Sequence, residues 1–415
     1  MPEPSLTADL AVVGAGAAGL AAAIFTARQD PALRIVALDG AKKPGAKILV
    51  SGGGRCNVTN REVRAEDFCG GSSHIIKRIL NELPVAETIE FFREIGVDLH
   101  EEEFGKLFPD TNKAQTVLSA LLAEARRLNV ELRCEYRVTA VEKNPDGFDI
   151  STDRDQIRSG RVVLATGGKS LPKTGSDGFG YSLAEKLGHT IVPTTPGLAP
   201  LLLDGTFHTP LSGIAHDVQL TILAEGRRPV RIRGPMLWTH FGISGPAALD
   251  ASRHWHRAKI EGRSVSVKAN LLPDETLDSL EARLVRRASD HPRQQIAGVV
   301  ADLLPTRLAG AILDALKINH QVQMAHFSRT DRRRLASALI EWPMPITGSR
   351  GYAYAEVTAG GVSLTEIDAK TMQSRVCPGL FLVGEILDCE GRLGGFNFQW
   401  AWCTGCVAAR GITGR

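Results

Sequence analysis

The chain has 415 residues, 43% of them hydrophobic, with 49 Lys and Arg against 46 Asp and Glu, a formal net charge of +3. That is enough apolar material for a large core divided over two or three domains. The near-balance of charge argues against a nucleic-acid partner, and the absence of a long apolar run argues against a membrane span.

The chain enters "ADLAVVGAGAAGL" within ten residues, with no basic segment, apolar segment and small-residue cleavage site ahead of it. The seven scattered cysteines follow no secreted framework and read as reduced thiols. The expectation is a soluble, cytoplasmic protein. "DLAVVGAGAAGLAAAIFTARQ" is a buried strand, a glycine turn and an alanine-rich helix, and "RIVALDG" is a second strand, so the unit is βαβ. "SSHIIKRILNEL", "PVAETIEFFREIG" and "TVLSALLAEARRLN" have helical periodicity. "ELRCEYRVTAVEKN" and "GFDIST" alternate as antiparallel strands do, and "GRVVLATGG" is a buried strand ending in a glycine turn.

Composition shifts at residue 191, where "TIVPTTPGLAPLLLD" is rich in proline and "DVQLTILAEGRRPVRIRG" alternates with period two. From Leu272 to about Leu339 the pattern is helical, and the chain closes with a strand and helix in "GLFLVGEI" and "FQWAWCTGCVAARG". The expected arrangement is an α/β protein whose Rossmann-like nucleotide-binding domain is in two pieces, 1–190 and 356–415. A β-rich insertion (191–271 plus about 340–355) and a helical subdomain (272–339) separate them. The basic runs Arg286-Arg287 and Arg332-Arg333-Arg334 read as solvated helix faces. His254 and His256, in a polar stretch around Trp255, read as surface residues.

Gly14, Gly16 and Gly19 form G-x-G-x-x-G between strand and helix. The first glycine permits the tight turn, the second lets backbone approach a pyrophosphate, and the third lets helix and strand pack closely. The N–H groups of the helix start then face phosphate charge. Asp39, twenty residues beyond Gly19, ends the second strand, where its carboxylate meets ribose hydroxyls. The pattern does not separate FAD from NAD.

"KILVSGGGRCNVTN" admits several readings. "GAKKPGAK" misses the phosphate-loop pattern because Ala46 separates Gly45 from Lys47 and Ile48 offers no hydroxyl. A redox dithiol is not expected, since Cys69 is the next cysteine after Cys56. The reading that fits is a second cofactor-contact loop: Gly52, Gly53 and Gly54 free the backbone, Lys47 and Arg55 add charge, and Ser51, Asn57 and Thr59 add short polar groups. Cys403 and Cys406 share one helix face as C-x-x-C and read as small residues packing a buried helix rather than as a dithiol. Zinc is not expected, because no second Cys or His pair answers them. His240, in "LWTHFGISG", is the candidate proton donor, with Arg233, Glu356 and Arg392 as weaker candidates.

"GAGAAG", "GAKILVSGGGRCNVTN", "LATGGKSLPKTGSDGFGY", "PMLWTHFGISGPAAL", "AEVTAGGV" and "GLFLVGEILDCEGRLGGFNFQWAW" occur in this order. Together they resemble the bacterial BaiN-like, aminoacetone-oxidase-like flavoproteins, NAD(P)/FAD-dependent oxidoreductases. The resemblance spans nearly the whole chain. It implies bound FAD, a β-barrel-like insertion and a small helical domain, but no particular substrate. By motif, it implies cofactor contacts from Gly14, Ala15, Gly16, Ala17, Ala18, Gly19 and Asp39. Lys47, Ser51, Gly53, Gly54, Arg55, Cys56 and Asn57 would line the pyrophosphate-to-flavin stretch. Val138, Ala165, Thr166 and Gly167 would serve the adenosine half, and Gly384, Glu385, Gly394, Gly395, Phe396 and Asn397 the ribityl chain and flavin ring. There is no second G-x-G-x-x-G for a nicotinamide domain, so NADH or NADPH enters as a transient donor if at all. The expected function is hydride or electron-pair transfer between a small organic substrate and flavin. The alternatives are a flavin-dependent tRNA-modifying protein and a redox-sensing flavoprotein with little turnover.

Overall fold

The computed structural model describes residues 6–414, so the first five residues of the expected 1–190 segment and the last residue of the chain lie outside the described residues. The chain separates into two compact units, one made of residues 1–196 and 355–415, the other of 197–354.

In the first unit, β1 (Leu6–Val13), α1 (Ala17–Gln29) and β2 (Ile35–Asp39) form the βαβ start. β1 pairs in parallel with β2 on one side and with Gln156–Leu164 on the other. Its inner residues Leu10, Ala11 and Val12 are fully buried, as a strand covered on both faces must be. Gln156–Leu164 takes two partners along one edge: its first half pairs antiparallel with Gly147–Thr152, and its second half parallel with Leu380–Leu382. The sheet has seven strands, with Val138–Asn144 beyond Gly147–Thr152 and Glu131–Cys134 beyond β2. "ELRCEYRVTAVEKN", expected to be antiparallel, divides. Glu131–Cys134 pairs parallel with β2, and Val138–Asn144 pairs antiparallel with its neighbour on the far side of the sheet.

The C-terminal helix Phe396–Thr413 packs along α1. The contact needs a residue without a side chain. A Cβ on Gly405 would lie 2.7 Å from Ala21 Cβ and 2.8 Å from the Ala22 backbone nitrogen. Trp400 and Trp402, on the same helix, are buried in the core. The proline-rich stretch also belongs here: Ile191–Gly197 forms a two-stranded sheet with Val357–Val362, so the first unit continues past the compositional shift at residue 191. A two-stranded edge position tolerates prolines that lack an N–H.

The second unit holds a seven-stranded sheet in the order Trp342–Met344, Val265–Asn270, Ala215–Ala224, Val230–Thr239, Gly242–Ser244, Leu201–Leu203, Ile346–Ser349. Its two edge strands are separated in sequence by Pro345 alone. One residue cannot span an open seven-stranded sheet at about 4.8 Å per strand, so the sheet must roll until its edges meet, as a barrel does. The polar stretch around Trp255 lies in a helix, Pro246–Ile260, that buries Ala247, Ala248, Ala251, Trp255 and Ala258. His254 and His256 are therefore partly buried, not surface residues; His256 Nε2 lies 2.7 Å from Ser349 Oγ. Helices Leu277–Asp290, Ile296–Ala301, Thr306–Ala315 and Arg329–Ile340 follow. The first opens on a Thr276–Ser279 capping box, and the last is capped by Ser328, whose hydroxyl accepts from Asp331 N–H. Trp238, Leu308 and Leu335 lie in the second core.

Gly405→Ala is expected to lower stability. It gains about 1 kcal/mol of helix propensity, but crowding a packed contact costs about 1–3 kcal/mol, and the nearest obstacle includes backbone. A denaturant midpoint equal to or above that of the unaltered protein would show that the helices can separate freely. In the second unit, burial pushes the His256 imidazole from 6.5 down to about 4. The unfolded chain therefore binds a proton below about pH 6.5 that the folded chain takes up only near pH 4. Stability from this group is complete above pH 6.5 and is lost as pH falls through that window. Melting temperatures measured from pH 7 to pH 5 should fall less steeply in His256→Gln than in the unaltered protein.

Candidate functional site

The glycine turn after β1 is built by close backbone contacts. Gly14 has φ +101°, and a Cβ there would lie 2.5 Å from the Ala165 carbonyl oxygen. A Cβ on Gly19 would lie 1.9 Å from the Gly14 oxygen, so only glycine lets α1 close onto the turn. Gly16 differs, since its Cβ would meet nothing within 4 Å. Gly16 opens α1, followed by Ala17 and Ala18, and no side chain caps that helix start. Asp39 Oδ2 accepts from Ala15 N–H at 2.9 Å and Oδ1 from Ala41 N–H at 2.8 Å. Burial raises its carboxyl pKa, and the Ala41 and Ala15 N–H groups pull it back. Ala165 N–H donates to Val13, which sets Ala165, Thr166 and Gly167 beside the turn. Val138 starts its strand next to Arg137, whose Cβ is 3.2 Å from where a Gly40 Cβ would be. These residues gather at the carboxyl ends of parallel strands, where open α/β sheets bind ligands.

"KILVSGGGRCNVTN" begins within a short helix, Ala46–Val50, and continues through Gly52, Gly53 and Gly54 at φ +55°, +68° and +85°. Three successive left-handed residues demand glycine. Gly53 has open space where a Cβ would stand, while Ser51 turns inward and donates to the Ile48 carbonyl. Lys47 Nζ lies 2.7 Å from both Glu385 Oε2 and Ser170 Oγ. Ser170 Oγ and Thr358 N–H donate to Glu385 Oε1 at 2.7 and 2.9 Å. Ser170 and Thr358 carry no motif signal of their own; their trace in the sequence is their place inside "LATGGKSLPKTGSDGFGY" and "AEVTAGGV".

Arg55 is paired rather than free. Its Nη1 is 2.6 Å from Glu102 Oε1, and its guanidinium lies 4.1 Å above Phe108. The hydrogen bond from Arg55 holds the Glu102 carboxyl below its ordinary range. His100 sits between Glu102 and Asp110, at 3.4 and 3.3 Å. Cys56 has φ +63° and a fully buried side chain, and burial pushes its thiol up to about 12. Its sulfur packs in the core, which leaves only its backbone to face a ligand. The adjacent Asn57 has a buried Oδ1 with no hydrogen-bond partner among the described residues. A Cβ on Gly395 would come within 2.9 Å of that oxygen.

The C-terminal piece completes the group. Gly384, at φ +75°, donates its N–H to Thr404 Oγ1 at 3.0 Å, and its carbonyl accepts from Trp400 Nε1 at 3.2 Å. Gly394 and Gly395, at φ +130° and +94°, lead into the C-terminal helix, whose start has no side-chain cap. Asn60 Nδ2 donates to the Gly394 and Phe104 carbonyls, each at 3.0 Å. Phe396 is buried beneath Arg392, and Asn397 holds Gly391 through two hydrogen bonds. Burial raises the Cys403 and Cys406 thiol pKa values, and neither sulfur is in a disulfide. Both side chains pack in the core.

His240 belongs to the other unit, exposed on the turn after Val230–Thr239, with its ring 5.1 Å from Phe241. Arg233 is paired with Asp274, and Arg392 with Asp67. Among the described residues no cluster of three or more His, Cys, Asp or Glu is placed to hold a metal ion, and no helix is long and apolar enough to cross a membrane.

Two helix starts without side-chain caps, open space beside Gly16 and Gly53, and the unpartnered Asn57 Oδ1 fit an extended dinucleotide with two phosphates and a hydrogen-bonding ring. Residues 8–411 match the model of the HI0933-like protein Rossmann domain. The chain is 36% identical over 411 residues to the Escherichia coli K12 ribosomal RNA dihydrouridine synthase, covering 97% of this chain and 98% of that protein. It is 33% identical to the Clostridium scindens 3-dehydro-bile acid delta(4,6)-reductase, covering 98% and 99%. In structure it is similar to E. coli quinol fumarate reductase FrdA (17% identity, 99% of this chain and 70% of that one, TM-score 0.51). It is also similar to the 3-ketosteroid delta1-dehydrogenase of Sterolibacterium denitrificans (12%, 99% and 100%, TM-score 0.51). The two structural likenesses speak for the fold alone. The chain belongs to the HI0933-like Rossmann-domain family and is an FAD-dependent oxidoreductase.

Proposed function

We propose that this enzyme saturates a carbon–carbon double bond conjugated to a carbonyl, and that its substrate is a uridine of ribosomal RNA. The observation that carries this reading is the 36% identity, over nearly the full length of both chains, to a protein named for making dihydrouridine in ribosomal RNA. The bile-acid reductase name implies the same chemistry on another skeleton. In the uracil ring a hydride equivalent would go to the carbon β to the carbonyl and a proton to the α carbon. NADH or NADPH would return the two electrons as a transient donor.

Charge supports an RNA substrate once the two units are separated. Residues 197–354 hold twenty Lys and Arg against fourteen Asp and Glu, while the rest of the chain holds twenty-nine against thirty-two. The near-neutral total conceals a basic unit, and a basic surface is what attracts a phosphate backbone.

Bound FAD supplies the redox chemistry, and the chain positions it. Gly14 to Gly19 and the start of α1 would hold the pyrophosphate, and Asp39 the adenosine ribose. Val138 and Ala165 to Gly167 would flank the adenosine half. Lys47 and Glu385, locked together by Ser170 and Thr358, would meet the ribityl side. The backbone from Ser51 to Asn57 and from Gly394 to Asn397 would border the ring, with Asn57 Oδ1 as an acceptor. N–H groups at the start of the C-terminal helix favour negative charge on a reduced ring.

Two glycine substitutions separate cofactor binding from folding. Gly16→Val projects into open space, so the protein should fold with its usual melting temperature in the absence of FAD. It should bind FAD roughly 10- to 100-fold more weakly, from the loss of a charge-assisted contact. Gly14→Ala meets backbone and should lose about 2–4 kcal/mol of stability. Equal FAD affinity in Gly16→Val, read by flavin fluorescence, contradicts the cofactor placement. For the substrate, mass spectrometry of ribosomal RNA nucleosides from a deletion strain should show dihydrouridine missing, and FAD-loaded enzyme with NADPH should restore it. Unchanged dihydrouridine in the deletion strain rules out the RNA substrate. Reduction of a conjugated ketone in its place would keep the chemistry and change the substrate.

A further inference from the structure

The second unit carries an arginine built unlike its neighbours. Arg233, Arg283, Arg287 and Arg334 are paired with Asp274, Glu275, Asp302 and Asp331. The guanidinium of Arg350 has no carboxylate or carbonyl acceptor among the described residues. It lies instead between two aromatic rings, 3.4 Å from the Tyr354 centroid and 4.8 Å from that of Phe241. Stacking of this kind fixes the plane of the guanidinium while leaving its N–H edge unspent.

The local chain is arranged to hold it. Arg350 N–H donates to Pro200, which anchors the end of Ile346–Ser349. Gly351, at φ +70°, reverses the chain, and Tyr354 N–H donates back to the Gly351 carbonyl at 3.1 Å. That turn brings the Tyr354 ring over Arg350. Ser349 Oγ, which accepts from Gly351 N–H and lies 2.7 Å from His256 Nε2, steadies the reversal. Tyr354 is 49% exposed, and the exposed His240 ring stands against Phe241. A fixed fork of five donors beside exposed rings suits a phosphate with a neighbouring base.

We propose that Arg350, clamped between Tyr354 and Phe241, binds a phosphate of the RNA substrate, with the adjoining rings offering a surface for a base. This rests on the ribosomal RNA reading above. The test measures binding of a uridine-containing single-stranded fragment of ribosomal RNA to FAD-loaded protein by fluorescence anisotropy, between about 50 and 200 mM salt. Arg350→Gln keeps most of the volume and removes the charge. It should bind roughly tenfold more weakly at low salt, and its plot of log affinity against log salt should be shallower by about 0.7, the share of one single-strand phosphate contact. Arg350→Lys should keep the slope and lose part of the affinity, because a point charge cannot make the planar fork. Tyr354→Leu should weaken binding with the slope unchanged. Flavin absorbance and melting temperature report folding in each variant. Arg350→Gln with an unchanged slope overturns the assignment, whether or not its affinity falls, and leaves the RNA reading standing. Failure of the unaltered protein to bind the fragment overturns both.

Discussion

The parallel pairing of Leu380–Leu382 against Val162–Leu164 is the constraint on which the rest of the first unit depends. It requires the chain to leave the nucleotide-binding sheet after Leu164 and return at Leu380, more than two hundred residues later. The C-terminal helix then packs on α1 so closely that Gly405 has no room for a methyl group. With that contact made, Gly384, Gly394 and Gly395 stand beside residues from the first sixty positions. Glu385 reaches Lys47, and the Gly395 backbone approaches Asn57. A change that loosens the helix pair would therefore disturb the cofactor-facing surface without touching a residue of it.

Polar groups in this region are arranged by priority of burial. The Lys47–Glu385 pair is partly buried, so removing one partner would strand a charge, and Ser170 and Thr358 fill the remaining acceptor positions of the carboxylate. Arg55, more exposed, is paired with Glu102 and stacked on Phe108. The cysteines are at the other extreme. Burial raises the thiols of Cys56, Cys403 and Cys406, which suits them to filling space and not to thiolate chemistry. Redox work in this protein then falls to FAD, and the chain contributes position and field.

The second unit shows how a bulk property can mislead. A net charge of +3 over 415 residues suggests no polyanionic partner, yet the excess is carried by one unit against a slightly acidic remainder. The stretch around Trp255 misled in a similar way. Its histidines and arginines give it a polar average, while its alanines and tryptophan fall on one helical face and are buried. Periodicity carried the information there, and averaging removed it.

The sequence by itself determined the elements whose cause is local: the strand–glycine–helix start, the run of glycines that only left-handed backbone explains, the two-piece α/β architecture and the family. The elements depend on residues a few positions apart, and the architecture and family on the order in which such blocks follow one another along the chain. Tertiary structure decided whatever depends on distant chain segments meeting. It set Glu131–Cys134 parallel to β2, carried the first unit past residue 191, tied Lys47 to Glu385 through Ser170, paired Arg55 with Glu102, and turned the Cys56 sulfur into the core. It also set Arg350 between two rings, with no acceptor among the described residues. Sequence separation hides such pairs because the free energy of each is set by burial and geometry that exist only once the chain has folded.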